Sequence, residues 1–422
     1  MKLQELTSVS LDGFDLPQEV LIGRGVKSEV GNLAEKWLGR DPLILGDRAT
    51  LSAFGPIRKD FRTVELDTQA HADDATVAAV AEALYGHSGI LAVGSGTVND
   101  VAKRASSERG VPYVVCGTAA SMNGYASGIA AILSHGLKIT LPSAPPRAIL
   151  LDTEVLSLAP ARLAQAGLGD LMSKPVSDAD WWLANELEGT GYSTIPGSVV
   201  DQAVNEAAEV ALGLAAGECL AHGALGKALV LSGVAMVLAG SSAPASGGEH
   251  LISHLWDMEN HVAHRPTRLH GAQVGVATCI SAALYQRLLK LDKPVISALP
   301  RWEKEAERIR KEHGLLADVI LPQAKRKHDR AAARRELLKT RWTEIRSGLA
   351  DRNLPTPASI RKPLLEAGAP SRLSDLKIER ADTARVFRLA RDIRDRITVL
   401  DVGFELGILP GAIEEILDEA GV

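Results

Sequence analysis

Apolar residues in the first 155 positions fall into short runs separated by stretches of helical spacing. The runs Glu19–Gly23, Leu43–Leu45, Thr63–Leu66, Ile90–Val93, Pro112–Cys116 and Ala148–Leu151 are predicted strands. Between them, Val26–Leu38 places apolar side chains at Val26, Val30, Leu33 and Leu38, one face of a helix. Asp74–Tyr85 is rich in alanine, a strong helix former, and Asp100–Ser106 follows a glycine-rich turn. Strand–helix alternation of this kind predicts a mostly parallel sheet with helices on both faces. The pattern changes at Ser157–Pro160, where a Ser/Pro helix start appears. Beyond it, long Ala/Leu segments at helical spacing, such as Val200–Leu214 and Leu225–Leu238, replace the period-2 pattern. The expected organisation is an α/β domain over residues 1–157 and an all-helical domain over residues 158–422.

Composition narrows the function classes. A chain of 422 residues predicts two or three domains, and 46% hydrophobic with 23% charged residues is the balance of a folded protein. A net charge of −5 supplies no global field for nucleic acid. The basic centre Lys325, Arg326, Lys327, Arg330, Arg334 and Arg335 reads as a solvated helix face with acids interspersed, and a nucleic-acid or anionic-lipid patch is the alternative. No nucleic-acid partner is expected. Three widely spaced cysteines predict no disulfide framework and fit a reducing cytoplasm. The N-terminal stretch lacks the apolar region of a secretory signal. The apolar run Ala228–Gly240 is too short to span a bilayer and is expected to be a core helix, so no membrane span is expected.

Two features suggest chemistry. In Ile90–Lys103 an apolar run enters Gly94-Ser95-Gly96, and a helix starts near Thr97 or Val98. Glycines let a pyrophosphate approach the backbone, and the free N–H groups of the helix N-terminus bind it. A tight strand–helix turn with no ligand shares this pattern. The loop Gly117-Thr118-Ala119-Ala120-Ser121 follows the next strand, and Asp47 ends an earlier one. Asp47 suits a ribose hydroxyl, or the cap of a helix reaching Thr50.

The second feature is a cluster of histidines: His250, His254, His261, His264 and His270 fall within residues 250–270, out of 11 in the chain. His250 and His254 are spaced to share one helix face. His270 opens the next helix, and His261 and His264 are expected in a solvated loop. Asp170, in the glycine-rich segment Gly167–Asp170, is the candidate third ligand of a divalent metal, read as a bend between two helical stretches. Lys174, one turn on, suits a phosphate or carboxylate, or is an ordinary surface lysine.

The motifs GSGTVNDVAK, GTAASMNGYAS, GLGDLMSKPVSDADWWLA, SGGEHLISHLW and LHGAQVGVAT, in this order between residues 94 and 278, resemble those of sn-glycerol-1-phosphate dehydrogenases. These belong to the iron-containing alcohol dehydrogenase and dehydroquinate synthase-like superfamily. The resemblance implies that fold: a Rossmann-like α/β domain followed by an all-α domain. It implies that Gly96, Thr97, Val98, Asn99 and Asp100, with Thr118, Ala119, Ala120 and Ser121 and nearby Ser127, hold NAD(P)H. It implies a metal, zinc first with nickel or iron as alternatives, on Asp170, His250 and His270. Asp170 and His254 would contact substrate, with His254 on the proton path. Position 123, an aspartate in that family, is Asn123 here, which brings a hydrogen bond without a charge. The implied reaction interconverts dihydroxyacetone phosphate and sn-glycerol 1-phosphate, a small phosphorylated substrate, in a homo-oligomeric enzyme. The competing expectations are a dehydrogenase for glycerol or another polyol, a dehydroquinate synthase-like cyclase, and a non-catalytic nucleotide-binding scaffold.

Overall fold

A computed structural model describes residues 3–7, 9–58, 60–134 and 137–422. Among the described residues eight strands are present: β1 (Glu19–Gly23), β2 (Leu43–Asp47), β3 (Thr63–Leu66), β4 (Ile90–Gly94), β5 (Tyr113–Gly117), β6 (Ile129–Ser134), β7 (Leu137–Pro142) and β8 (Ala148–Asp152). Among them run helices α1 (Val30–Leu38), α2 (Arg48–Phe54), α3 (Asp74–Ala83) and α4 (Gly96–Arg109). After β8 the described residues form no further strand. They hold α5 (Thr153–Leu158), α6 (Ala161–Leu171), α7 (Lys174–Glu188), α8 (Ile195–Glu209), α9 (Ala211–Ala215), α10 (Cys219–Leu238), α11 (Gly248–Val262) and α12 (His270–Leu289). Six more follow: α13 (Trp302–His313), α14 (Ala317–Ala350), α15 (Pro357–Glu366), α16 (Arg380–Leu389), α17 (Val399–Glu405) and α18 (Ile413–Ala420).

Six strands make one sheet in the order β1-β8-β5-β4-β2-β3, every pair parallel. Strands β4, β5 and β8 are buried along their whole length, which is why they read as continuous apolar runs. At the edge, β3 alternates exposed and half-buried positions. On one face Leu33 and Leu38 of α1 pack over Ile44, Leu91, Val114 and Leu150.

One element was not expected from the sequence. β6 and β7 pair as a separate antiparallel ribbon, with Ala130 opposite Leu141 and Ile132 opposite Ile139. In Ile129–Leu133 apolar residues occupy both faces, so no polar alternation marks a strand; only Ala130 and Ile132 are buried.

The chain divides into two compact units that exchange segments. One comprises Met1–Leu171, Ile195–Ser241 and Glu366–Ala369, the sheet with α8–α10 added to it. The other comprises Met172–Thr194, Ser242–Leu365 and Pro370–Val422, and is helical. Helix α10 is the one described helix long and apolar enough to cross a membrane, and 72% of its most apolar window is buried. In the helical unit the basic centre is no open patch. Lys327, Arg334 and Arg335 are buried, Lys327 meeting Asp401 at 3.0 Å and Arg334 meeting Glu188 at 2.6 Å and Glu405 at 2.5 Å. This corrects the expected solvated face: half of those cations are turned inward because acids from α7 and α17 meet them.

Candidate functional site

The carboxyl ends of β4 and β5 lie side by side. Gly94 and Gly117 are register partners, and Thr118 N–H donates to the Gly94 carbonyl at 3.1 Å. The two following loops are joined by a 2.5 Å hydrogen bond between the Ser95 and Ser121 hydroxyls. Ser95 is the N-cap of α4, yet its side chain does not cap the helix. The first-turn amides at Gly96, Thr97 and Val98 therefore keep the unfilled N–H groups and positive end that bind an anion. Asn99 is fully buried and donates to Asp100 at 3.1 Å.

Thr118, Ala119 and Ala120 are buried and can offer a ligand little beyond backbone, whereas Ser121 and Asn123 are half-buried. The Asn123 amide points to the Ser232 hydroxyl at 3.4 Å. Asp47 resolves toward the cap: its carboxylate accepts from the Ala49 and Thr50 amides at 2.8 and 2.9 Å, completing a capping box. Ser127 is buried and already bonded to the Gly124 and Ile129 carbonyls, both at 3.0 Å, so it acts within the loop wall.

Lys103 organises that wall and went unnoticed in the sequence. Its fully buried ammonium donates to the Gly124, Ser127 and Ile129 carbonyls and the Ser127 hydroxyl, at 2.5 to 3.1 Å. Burial pushes its pKa down to about 8 against the opposing pull of Asp100. The available signal was spacing: Gly96, Asn99 and Lys103 fall at i, i+3 and i+7 of one helix.

Asp170 lies inside α6 and is 2% exposed, so the glycine-rich segment is helix rather than the expected bend. Close packing explains its glycines: a Cβ on Gly167 would sit 2.0 Å from the Ala120 carbonyl oxygen. His250 occupies the first turn of α11 and His270 the first residue of α12. Their ring centroids are 5.1 Å apart, and His254 stacks on His270 at 5.2 Å. Ligand atoms of Asp170, His250 and His270 all lie within 4.8 Å of one another. Four-coordinate zinc with bonds of about 2.1 Å separates its ligands by roughly 3.4 Å, so small rotations would close the set. One carboxylate and two imidazoles are also the right donors, and they leave a coordination position open.

Lys174 is no surface lysine: it is 4% exposed and donates to the Ala245 carbonyl at 3.1 Å and the Ser173 hydroxyl at 3.2 Å. His261 belongs to the last turn of α11 rather than to the loop, while His264 is exposed. The sequence reading also passed over Glu249 and Asp180. Both carboxyls are buried, and burial and the Glu249 charge push Asp180 up to about 7.

Comparison with known proteins places the chain in a family. Residues 21–160 match the model of the iron-containing alcohol dehydrogenase family. The fold is that of solved dehydrogenases. A probable glycerol dehydrogenase from Sinorhizobium meliloti superposes with a TM-score of 0.65 at 19% identity, covering 96% of this chain and 99% of that one. The glycerol dehydrogenase of Schizosaccharomyces pombe gives 0.58 at 17% identity, covering 97% of this chain and 92% of that one. Sequence relatives are more specific. A glycerol-1-phosphate dehydrogenase [NAD(P)+] of Bacillus velezensis is 33% identical over 306 residues, 68% of this chain and 76% of that protein. The enzyme of the same name from Pyrococcus horikoshii is 33% identical over 283 residues, 64% of this chain and 80% of that protein. The chain belongs to the glycerol-1-phosphate dehydrogenase family.

Proposed function

We propose that the protein is an NAD(P)H-linked, metal-dependent oxidoreductase that interconverts dihydroxyacetone phosphate and sn-glycerol 1-phosphate. The observation that carries this reading is the convergence of Asp170, His250 and His270 in a chain one third identical to enzymes of that name. The α4 N-terminus and the joined Ser95 and Ser121 loops would hold the dinucleotide phosphates, with Asn99, Asp100 and Thr118 beside them. Asp47 has a role as helix cap, and a ribose contact would use its remaining oxygen. Asp170, His250 and His270 would hold the metal, zinc by donor chemistry, with nickel and iron suited to the same set.

When bound, the metal supplies a Lewis acid for the substrate carbonyl and NAD(P)H supplies the hydride. The remaining work falls to side chains. Carbonyl reduction needs one proton on oxygen, and His254, stacked on His270, is the residue to deliver it. Lys174 would meet the substrate phosphate and Asn123 a hydroxyl. Both buried cysteines and the absence of any disulfide among the described residues support a reducing cytoplasm. A homo-oligomer is part of the same proposal.

The test is metal analysis of the purified protein together with NADH and NADPH oxidation assays. Dihydroxyacetone phosphate should be reduced with stoichiometric cofactor consumption, and His270→Ala should lose metal and activity together. Full activity in metal-free His270→Ala would refute the reading. Equal activity on unphosphorylated dihydroxyacetone would point to a polyol dehydrogenase. Turnover without net cofactor use would point to a cyclase.

A further inference from the structure

We infer that Glu249 is a positioning residue of this metal site: it sets the ring of His250 and brings a negative charge behind that ligand. The inference rests on the Asp170, His250 and His270 ligand set proposed above. Glu249 precedes the ligand His250 in the first turn of α11 and is 0% exposed. Its Oε1 accepts from three donors, each at 2.7 Å: the Ser177 hydroxyl, the Gly247 amide and His250 Nδ1. An ionised carboxylate can only accept, so the hydrogen of His250 must sit on Nδ1. Nε2 is then the nitrogen with a lone pair for a metal.

The surroundings are built for this contact. Asp180 accepts from the Gly248 amide at 2.6 Å, the Val399 amide at 2.6 Å and the Tyr285 hydroxyl at 2.5 Å, which pins the start of α11. A Cβ on Gly247 would lie 2.4 Å from Asp180 Oδ2 and 2.9 Å from Glu249 Oε2, so only glycine lets both carboxyls close on this turn. Glu249 Oε2 has no hydrogen-bond partner. A fold does not leave a buried carboxylate half-satisfied without compensation.

The Arg396 guanidinium lies within electrostatic reach of Glu249, and a divalent cation on His250 would add to that compensation. Glu249 stands one imidazole away from such a cation and brings a negative charge behind its ligand. His270 differs, since its Nδ1 meets a neutral hydroxyl, Ser253 Oγ, at 3.1 Å. At Nδ1 the two histidines are therefore unequal: that of His250 is backed by a carboxylate and that of His270 by a hydroxyl.

A purely structural role for Glu249 is distinguishable. A carboxylate in the first turn also stabilises a helix, and losing that would lower stability and leave metal affinity alone. The experiment measures zinc affinity of the chelator-stripped full chain by competition with a chromophoric chelator, with circular dichroism as the folding control. Glu249→Gln keeps an acceptor for Nδ1–H and removes the charge; it should bind zinc about 10–100-fold more weakly. Ser177→Ala, which removes one donor to Oε1, should weaken zinc binding by a smaller factor. Wild-type zinc affinity in folded Glu249→Gln overturns the inference. Should Glu249→Gln fail to fold, Ser177→Ala decides, and unchanged affinity there overturns it. A wild-type chain that binds no zinc, or a His270→Ala variant that binds it normally, refutes the ligand set instead, so the two failures are separable.

Discussion

Replacing Gly167 by alanine sets two effects of opposite sign against each other. Gly167 sits within α6, where alanine is favoured over glycine by about 1 kcal/mol. On helix propensity alone the variant should be more stable. The new Cβ, however, would fall 2.0 Å from the Ala120 carbonyl oxygen, 2.9 Å from its carbon and 3.1 Å from Leu229 Cδ1. An ordinary C···O approach is about 3.3 Å, so helix and loop must part by more than 1 Å. The loop resists: Ala120 is 1% exposed, and the neighbouring Ala119 carbonyl accepts from the Tyr125 hydroxyl at 2.8 Å. Overpacking of this kind costs about 3 kcal/mol. The net expectation is destabilisation of about 2 kcal/mol once the propensity gain is subtracted. Because Ala120 lies between Thr118 and Ser121, NAD(P)H affinity should fall with it. Urea unfolding and a fluorescence titration with NADH and NADPH measure the two effects. Gly31→Ala is the control, a glycine in α1 whose Cβ would meet nothing within 4 Å. It should gain stability of a few tenths of a kcal/mol to about 1 kcal/mol. A Gly167→Ala protein as stable as wild type, with unchanged cofactor affinity, would refute the packing argument.

His254→Gln should lower kcat by about 100-fold or more while metal content stays at the wild-type level, since the residue is assigned to proton delivery and not to ligation; parallel loss of metal would move it into the ligand set. Lys103→Met leaves three carbonyls and a hydroxyl without their shared donor and should destabilise by about 2–4 kcal/mol, with weaker NAD(P)H binding; unfolding midpoints and cofactor titration check both. Asp392 is buried against Arg308 at 2.9 Å and His313 at 3.0 Å. Burial pushes its pKa up, but the Arg391 and Arg308 guanidiniums and the hydrogen bond to His313 outweigh that and hold it well below the usual carboxylate range. Its stabilising contribution is therefore present above its unfolded pKa of about 3.9 and is lost as pH falls toward the folded value. Asp392→Asn should cost about 3 kcal/mol at neutral pH and flatten the acid limb of a stability-against-pH curve; an unchanged acid limb would contradict this.

The parts of the fold legible in the sequence are those whose neighbours are generic. β4, β5 and β8 are covered on both faces, so any apolar side chain serves, and continuous apolar runs declare them. The turn after β4 is legible because glycine there has a local cause. The ribbon β6–β7 is not, because apolar residues stand on both faces of β6 and erase the alternation. In α6 the local signal was misleading. Two glycines within three residues lower helix propensity and suggest a bend, yet Gly167 is set by the Ala120 carbonyl, 47 positions earlier in the chain.

Charged residues show the same limit more strongly. Locally a lysine, arginine or glutamate predicts solvent, because burying a lone charge is prohibitive. What reverses the prediction is a partner, and partners here come from far along the chain. Ser177 and Glu249 are separated by 72 positions, Arg334 and Glu405 by 71, and Lys327 and Asp401 by 74. No window of helical length contains both members of such a pair. The run Lys325–Arg335 therefore reads as a surface face, although tertiary pairing draws Lys327, Arg334 and Arg335 inward. The histidine cluster escapes this limit in part, since His250 and His254 reveal a shared face by spacing alone. Glu249 does not, because nothing local separates a buried glutamate beside a ligand from an ordinary acid in the first turn of a helix. Its burial depends on Ser177 and on Gly247 closing over it, which is why a substitution at Ser177, 72 positions away in the chain, is expected to register in metal affinity.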